Sequence, residues 1–171
     1  MRILETERLL LRHQVLEYLD ALWALYCDPE ITKYIPDAPR SYADAREELE
    51  QFMHGHPKHP ELGLWATFHK KSGKFIGRCG LLPWSIQGQD EVEVAYTLVR
   101  EYWGQGLATE AARGIVRYAF EQLGLTRLIC LIDSENEASI KVARKIGMAF
   151  EKQAQDDKGP FLIYAMNGPG G

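Results

Sequence analysis

The stretch EYWGQGLATEA, residues 101–111, sets Gly104, Gly106 and Ala108 at alternate positions between a strand-like run and a helix-like run. A helix N-terminus exposes unpaired N–H groups and carries about half a positive charge. A phosphate docks there when no side chain blocks the backbone. Gln105, Gly106, Leu107, Ala108 and Thr109 would therefore offer N–H groups to a pyrophosphate, and Thr109 a hydroxyl as well. A tight turn explains the same glycines more plainly. Two well-known phosphate loops do not fit. The nucleotide P-loop ends in Gly-Lys-Ser/Thr, whereas Gly106 precedes Leu107-Ala108. The dinucleotide fingerprint needs a third glycine where Thr109 stands; Asp133 does end the following strand, but that fold opens with its fingerprint. Cys130, between Ile129 and Leu131, invites a nucleophile reading; a cysteine in such a run packs as a small hydrophobe. His54, His56 and His59 lack a carboxylate or cysteine at metal-ligating spacing, so they read as a solvated loop and no metal is expected. Lys141, Arg144 and Lys145 fall in the last turns of a helix, where they complement its dipole.

The elements that position these residues follow from periodicity. Residues 5–12 read as a first strand and 15–27 as a helix, with Leu19, Leu22, Trp23 and Tyr26 at helical spacing. Residues 33–40 carry two prolines and read as a loop. Ser41 caps a second helix, with Asp44 completing an approximate capping box. Residues 64–69 and 74–82 are strands joined by a hairpin signal, 83–90 a loop, and 91–100 a strand in which Val92, Val94, Tyr96 and Leu98 alternate with polar or small residues. Residues 107–123 form the clearest helix, with Ala111, Ala112, Ile115, Ala119 and Phe120 as its buried side; Gly124 stops it. Residues 127–133 are a nearly continuous apolar strand, as expected when both faces are covered. A helix over 136–146 and strands over 150–155 and 161–166 complete the order. The central strand-helix-strand should be a right-handed parallel crossover. The expectation is an α+β domain over residues 1–167, one mixed and mostly antiparallel sheet flanked by helices, with residues 168–171 a flexible tail.

Composition narrows the setting. With 171 residues, 46% of them hydrophobic, the chain can bury a substantial core. A net charge of -4 with mixed signs gives no basic field for nucleic acid. Three scattered cysteines form neither a metal motif nor a disulfide framework, which suits a reducing cytoplasm. No secretory leader is recognised, and no run reaches the ~18 apolar residues of a membrane helix.

Three segments in this order are informative together. ETERLLLR (residues 5–12), EVEVAYTLVREYWGQGLATEA (from Glu91) and NEASIKVARKIGM (residues 136–148) resemble the GCN5-related N-acetyltransferases, and within them the ribosomal-protein N-terminal acetyltransferase-like (RimJ/RimL-type) subgroup. The resemblance implies acetyl-CoA as cosubstrate. Its diphosphate would lie on the glycine loop and its pantetheine arm between splayed central strands. Contacts are implied for Val94, Ala95, Tyr96, Trp103, Gly104, Gln105, Gly106, Leu107, Ala108, Thr109, Asn136 and Ser139. Trp103 stands where the wider family prefers Gln or Arg, a feature of the subgroup. Ala143 stands where the wider family often has a thiolate-protonating tyrosine, so that role cannot be carried over.

The implied reaction moves an acetyl group from a thioester to an amine. Glu93 is the candidate base, acting through water; the competing reading leaves Glu91 and Glu93 both solvated on an outer face. Backbone N–H groups around Val94 to Tyr96 would stabilise the oxyanion. Ser139 is the candidate donor to the leaving sulfur, or else a plain helix-surface serine. Asn136 would touch the cofactor or cap its helix, in competition with a Ser134–Glu137 box. The acceptor, a protein N-terminus or small-molecule amine, should meet the segments the family varies, with Tyr34, His54 and Trp84 as lining residues. No nucleic acid or membrane partner is expected; dimers are common in the subgroup. A catalytically silent acyl-CoA binding or sensing module is the alternative.

Overall fold

Alternation of apolar and polar residues over 63–98 folds as an antiparallel meander in the computed structural model, which describes residues 1–170. Its strands are β3 (Gly63–His69), β4 (Lys74–Ile86) and β5 (Gln89–Leu98). The expected loop at 83–90 is instead the end of this hairpin. β4 runs on to Ile86 and turns at Gln87 (φ 52°) and Gly88 (φ 78°), the two left-handed residues that a two-residue hairpin turn requires. Pro83 is tolerated inside β4 because Gly63, the last paired residue of β3, lies opposite Leu81. Its missing N–H therefore faces no partner strand.

The expected single first strand is a hairpin, β1 (Arg2–Glu5) and β2 (Leu9–Arg12), with β2 pairing β3. On the near face lie α1 (Leu19–Tyr26), the one-turn α2 (Pro29–Thr32) and α3 (Tyr42–Phe52). α3 starts as expected: the Ser41 hydroxyl accepts from the Asp44 N–H at 3.0 Å, and the Asp44 carboxylate accepts from the Arg40 N–H at 3.2 Å. The opposite face is covered by α4 (Leu107–Glu121) and α5 (Glu137–Lys145). β6 (Arg127–Ile132), β7 (Ala149–Asp156) and β8 (Gly159–Asn167) complete an eight-stranded sheet in the order β1-β2-β3-β4-β5-β6-β8-β7. Among the described strands only β5 and β6 pair in parallel. The expected α+β fold with one mixed, mostly antiparallel sheet is therefore the observed one.

The main core lies between the sheet and α4, where Leu107, Ala111, Ala112, Ile115 and Ala119 meet Leu9, Leu11, Leu81, Val94 and Leu128. Gly114, costly inside a helix, has a reason: an added Cβ would stand 2.8 Å from Thr6 Cγ2 and 3.3 Å from Leu4 Cδ1. The crowding comes from the N-terminal hairpin. Gly168, read from sequence as tail, is buried, and its N–H donates to the Thr126 carbonyl at 2.8 Å. Gly171 lies outside the described residues. No described helix is long and apolar enough to cross a membrane.

Candidate active site

Parallel pairing between β5 and β6 consists of one register pair, Glu93 with Ile129. Beyond it the strands diverge. Below it they are clamped: Arg127, at the start of β6, donates to Glu91 at 3.0 Å and to Glu151 of β7 at 2.7 Å. Val99 N–H donates to Ile76 on β4, whereas the Val94 carbonyl accepts from Cys130 Sγ on β6. Strand alternation therefore aims the N–H and C=O groups of Val94, Tyr96 and Leu98 into the gap and those of Ala95 at β4. The gap opens into a cleft of about 1680 Å3 that continues between α3, the loop after α2 and the end of β4.

The glycine loop closes one end of this cleft. After a 3-10 turn at Arg100–Tyr102, Gly104 (φ 72°) and Gly106 (φ 76°) take left-handed conformations that a Cβ disfavours. Gly106 is the N-cap of α4. The N–H groups from Gly104 to Thr109 find no acceptor among the described residues; the first paired amide is Glu110, which donates to Gly106. Six consecutive N–H groups at the positive end of a 15-residue helix form an anion cradle. The loop is held from behind. Arg8 Nη1 donates to the Gln105 carbonyl at 2.9 Å, and Arg8 Nε donates to Glu110 at 2.7 Å. Thr6 Oγ1 donates to the same carboxylate at 2.6 Å. Burial would push the Glu110 carboxyl up, but the bonds from Thr6 and Arg8 outweigh it and hold the group below its ordinary value.

Glu93 stands where the strands part. Its carboxylate accepts from Trp84 Nε1 at 3.0 Å and from the Leu131 N–H at 3.4 Å. Burial pushes its pKa up to about 7, against the pull of those two donors and of Arg78. Neither glutamate is on a solvated outer face: Glu91 is buried in the Arg127 clamp and Glu93 lines the cleft. Across the gap, Ser139 on α5 lies within 3.0 Å of the Tyr96 hydroxyl, which also donates to the Ser139 carbonyl. Burial raises the Tyr96 pKa, so its hydroxyl stays protonated. Ala143 is fully buried in the core. A tyrosine hydroxyl thus reaches this end of the cleft from β5 rather than from α5. Asn136, not Ser134, caps α5, its side-chain oxygen accepting from the Ser139 N–H at 3.2 Å.

Of the residues singled out from sequence, Tyr34, Trp84, Glu93 to Tyr96, Trp103, Gly104, Gly106 to Thr109, Asn136 and Ser139 line the cleft. Gln105 and His54 do not; His56 takes the lining place expected for His54. The Gln105 side chain turns back to the Glu101 carbonyl, and its own carbonyl is occupied by Arg8. His54 is an exposed residue just beyond the end of α3. Cys130 is buried and its thiol is pushed up by burial, consistent with packing. Sequence reasoning missed Arg8, Arg127, Arg78 and the hydroxyl role of Tyr96. Each acts through a partner distant in the chain, so local spacing carried no signal.

Residues 8–149 match the family model described as acetyltransferase (GNAT) domain. The protein YkkB of Bacillus subtilis is 34% identical over 142 residues, covering 82% of this chain and 80% of that one. N-acetyltransferase p20 of Bacillus licheniformis is 31% identical, covering 90% of this chain and 84% of its own. RimL, a ribosomal α-N-protein acetyltransferase solved in complex with coenzyme A, superposes with a TM-score of 0.80 over 98% of both chains at 16% identity. At that identity the likeness is one of fold.

Proposed function

The chain belongs to the GNAT family of acetyltransferases, acyl-CoA-dependent N-acyltransferases, and on that premise we propose that it acetylates a primary amine by direct attack in a ternary complex. The observation that carries this reading is the run of six acceptor-less N–H groups, Gly104 to Thr109, at one end of a cleft whose other landmark is Glu93. The cradle fits a diphosphate, and the unpaired edge of β5 fits an amide-bearing arm. RimL, whose fold this chain shares, was solved in complex with coenzyme A, which supports coenzyme A as the ligand. Trp103, Leu107, Ala108, Thr109 and Asn136 would complete the contacts. Acetyl-CoA, when bound there, supplies an acyl group activated as a thioester.

The remaining chemistry belongs to this chain's residues. Glu93, with a pKa near neutrality, takes a proton from the acceptor nitrogen through a water. The gap-facing N–H of Tyr96 stabilises charge developing on the carbonyl oxygen; the Val94 N–H is taken by the bridge to Ile129. Ser139 Oγ, turning its proton away from the Tyr96 oxygen, donates toward the departing sulfur, while the Tyr96 proton stays on the Ser139 carbonyl. A thiolate with a pKa of about 8.5 needs only modest help to leave. Tyr34 and Trp84 line the acceptor end. The acceptor is a protein N-terminus or a small amine, and a second copy of the chain is the partner the resemblance implies.

Thiol release from acetyl-CoA is measured with a panel of amines for the wild type and Glu93→Gln. Loss of a general base costs about 100-fold in kcat, with coenzyme A affinity unchanged. Equal turnover would remove Glu93 from the mechanism. Binding of coenzyme A without thiol release from any amine would establish the acyl-CoA sensing module instead.

A further inference from the structure

Arg78 on β4 is 6% exposed and lies in the wall of the cleft. Its Nε donates to the Tyr26 hydroxyl at 2.6 Å, and its Cζ stands 5.6 Å from the Tyr26 ring centroid. The Tyr26 hydroxyl spends its one proton on Glu48, at 2.5 Å. Arg78 therefore reaches that carboxylate only through a neutral group, and it forms no ion pair among the described residues. Its two Nη nitrogens have no hydrogen-bond partner among the described residues, yet neither is sealed from solvent. A guanidinium stays charged under all ordinary conditions, and a buried charge is costly unless it is paired. The open side of this one faces the cleft.

Its position relative to Glu93 is set by the sheet. The β4–β5 register pairs Arg78 with Thr97 and Leu82 with Glu93. Both charged side chains therefore rise from the same face, about 13 Å apart at the backbone for four residues of strand. The reach of the two side chains shortens that span. The exposed Asp44 and Glu47 and the half-buried Glu48 also line the cleft and would favour a cation; the first two are screened by water, and the Glu48 carboxylate is engaged by the Tyr26 hydroxyl. The buried, desolvated Arg78 is the stronger determinant.

We propose that Arg78 anchors a carboxylate of the acceptor, so that the amine served by this cleft carries an anionic group several bonds from its nucleophilic nitrogen. The fork of Nη donors matches a carboxylate bidentately. This inference rests on the acyl-transfer reading above and adds the acceptor class.

The test compares aminohexanoate with its carboxamide as acceptors at saturating acetyl-CoA, in the wild type, Arg78→Gln and Arg78→Lys. A hydrogen-bonded charge pair corresponds to about a tenfold lower KM for the carboxylate in the wild type. Arg78→Gln abolishes that preference and leaves KM for the carboxamide unchanged; Arg78→Lys keeps part of it. Equal KM values for the two acceptors in the wild type overturn the proposal. So does an equal rise in KM for both acceptors in Arg78→Gln, which a purely structural tie to Tyr26 would produce; thermal unfolding of the variant shows whether that tie is broken. If neither amine is turned over, calorimetry with N-acetylaminohexanoate and its amide on the coenzyme A complex makes the same comparison. Carboxylate-selective binding without acyl transfer would sink the acetyltransferase reading and keep the anion site; turnover without carboxylate preference would do the reverse.

Discussion

Near neutral pH Glu93 is divided between its two protonation states. Burial opposes its charge, and the Trp84 indole, the Leu131 amide and Arg78 restore part of it. As base it works ionised, so kcat/KM should rise with pH through about 7 and then level. Trp84→Phe removes a donor to the ionised form and should shift that limb upward; an unmoved limb would show that another group titrates. The effect on stability has the opposite sense. A folded-state pKa above the unfolded 4.5 means the native chain binds the extra proton, so this stabilising contribution is complete at low pH and is lost as pH rises through about 7. Glu93→Gln should therefore gain stability relative to the wild type above neutrality while losing activity, which thermal unfolding at two pH values would record. Sequence alone named Glu93 as candidate base but left open that Glu91 and Glu93 both sit on a solvated outer face. Two residues apart on one strand, they share a face. Only Arg127, 36 residues away, distinguishes the buried clamp from the cleft carboxylate.

For the elements, the glycine loop was legible and its supports were not. Gly104 and Gly106 announce a left-handed turn before a long amphipathic helix, a pattern confined to neighbouring residues. The tie from Arg8 to Gln105 and Glu110 spans about a hundred residues and appears only once the N-terminal hairpin packs beside α4. Gly106→Ala places a Cβ on an αL N-cap at a cost of about 1–2 kcal/mol. Its Cβ would have room, the nearest atom being Arg8 Nη2 at 3.6 Å, so the penalty is conformational. Coenzyme A affinity should fall about tenfold, as measured by calorimetry, with kcat at saturation little changed. An unaltered affinity would place the diphosphate elsewhere. The first strand and the loop at 83–90 were misjudged for related reasons. Thr6 and Glu7 continue a run of strand-like character across the β1–β2 turn, and Pro83 looks like a breaker until the end of β3 shows that its N–H is not needed.

Taken as a whole molecule, the chain spends the middle of its sheet on a gap. The Tyr96 N–H and C=O and the Leu98 N–H of β5 face the gap with no strand to pair them, although most buried backbone polar groups in proteins are paired. A ligand that pairs them and fills the cradle should bind the native state alone. At a hundredfold excess over Kd it would add about 2.7 kcal/mol of stability. For a chain of this size that corresponds to about 5–10 °C in Tm. Thermal shift with coenzyme A, with NAD as control, checks this; a response to NAD and none to coenzyme A would refute the assigned cleft.

What the sequence by itself determined was everything that depends on short spacing: the order of most strands and helices, the mixed sheet with one parallel crossover, the glycine-loop cradle and the family that the three motifs resemble. Tertiary structure decided which of two glutamates faces the cleft, that Tyr96 meets Ser139, that His56 rather than His54 lines the wall, and that Arg78 stands buried with no direct ion pair among the described residues. Periodicity fixes which face of an element a side chain leaves from. What that side chain meets is set by packing between segments far apart in the chain, where charge, burial and hydrogen bonding are decided together.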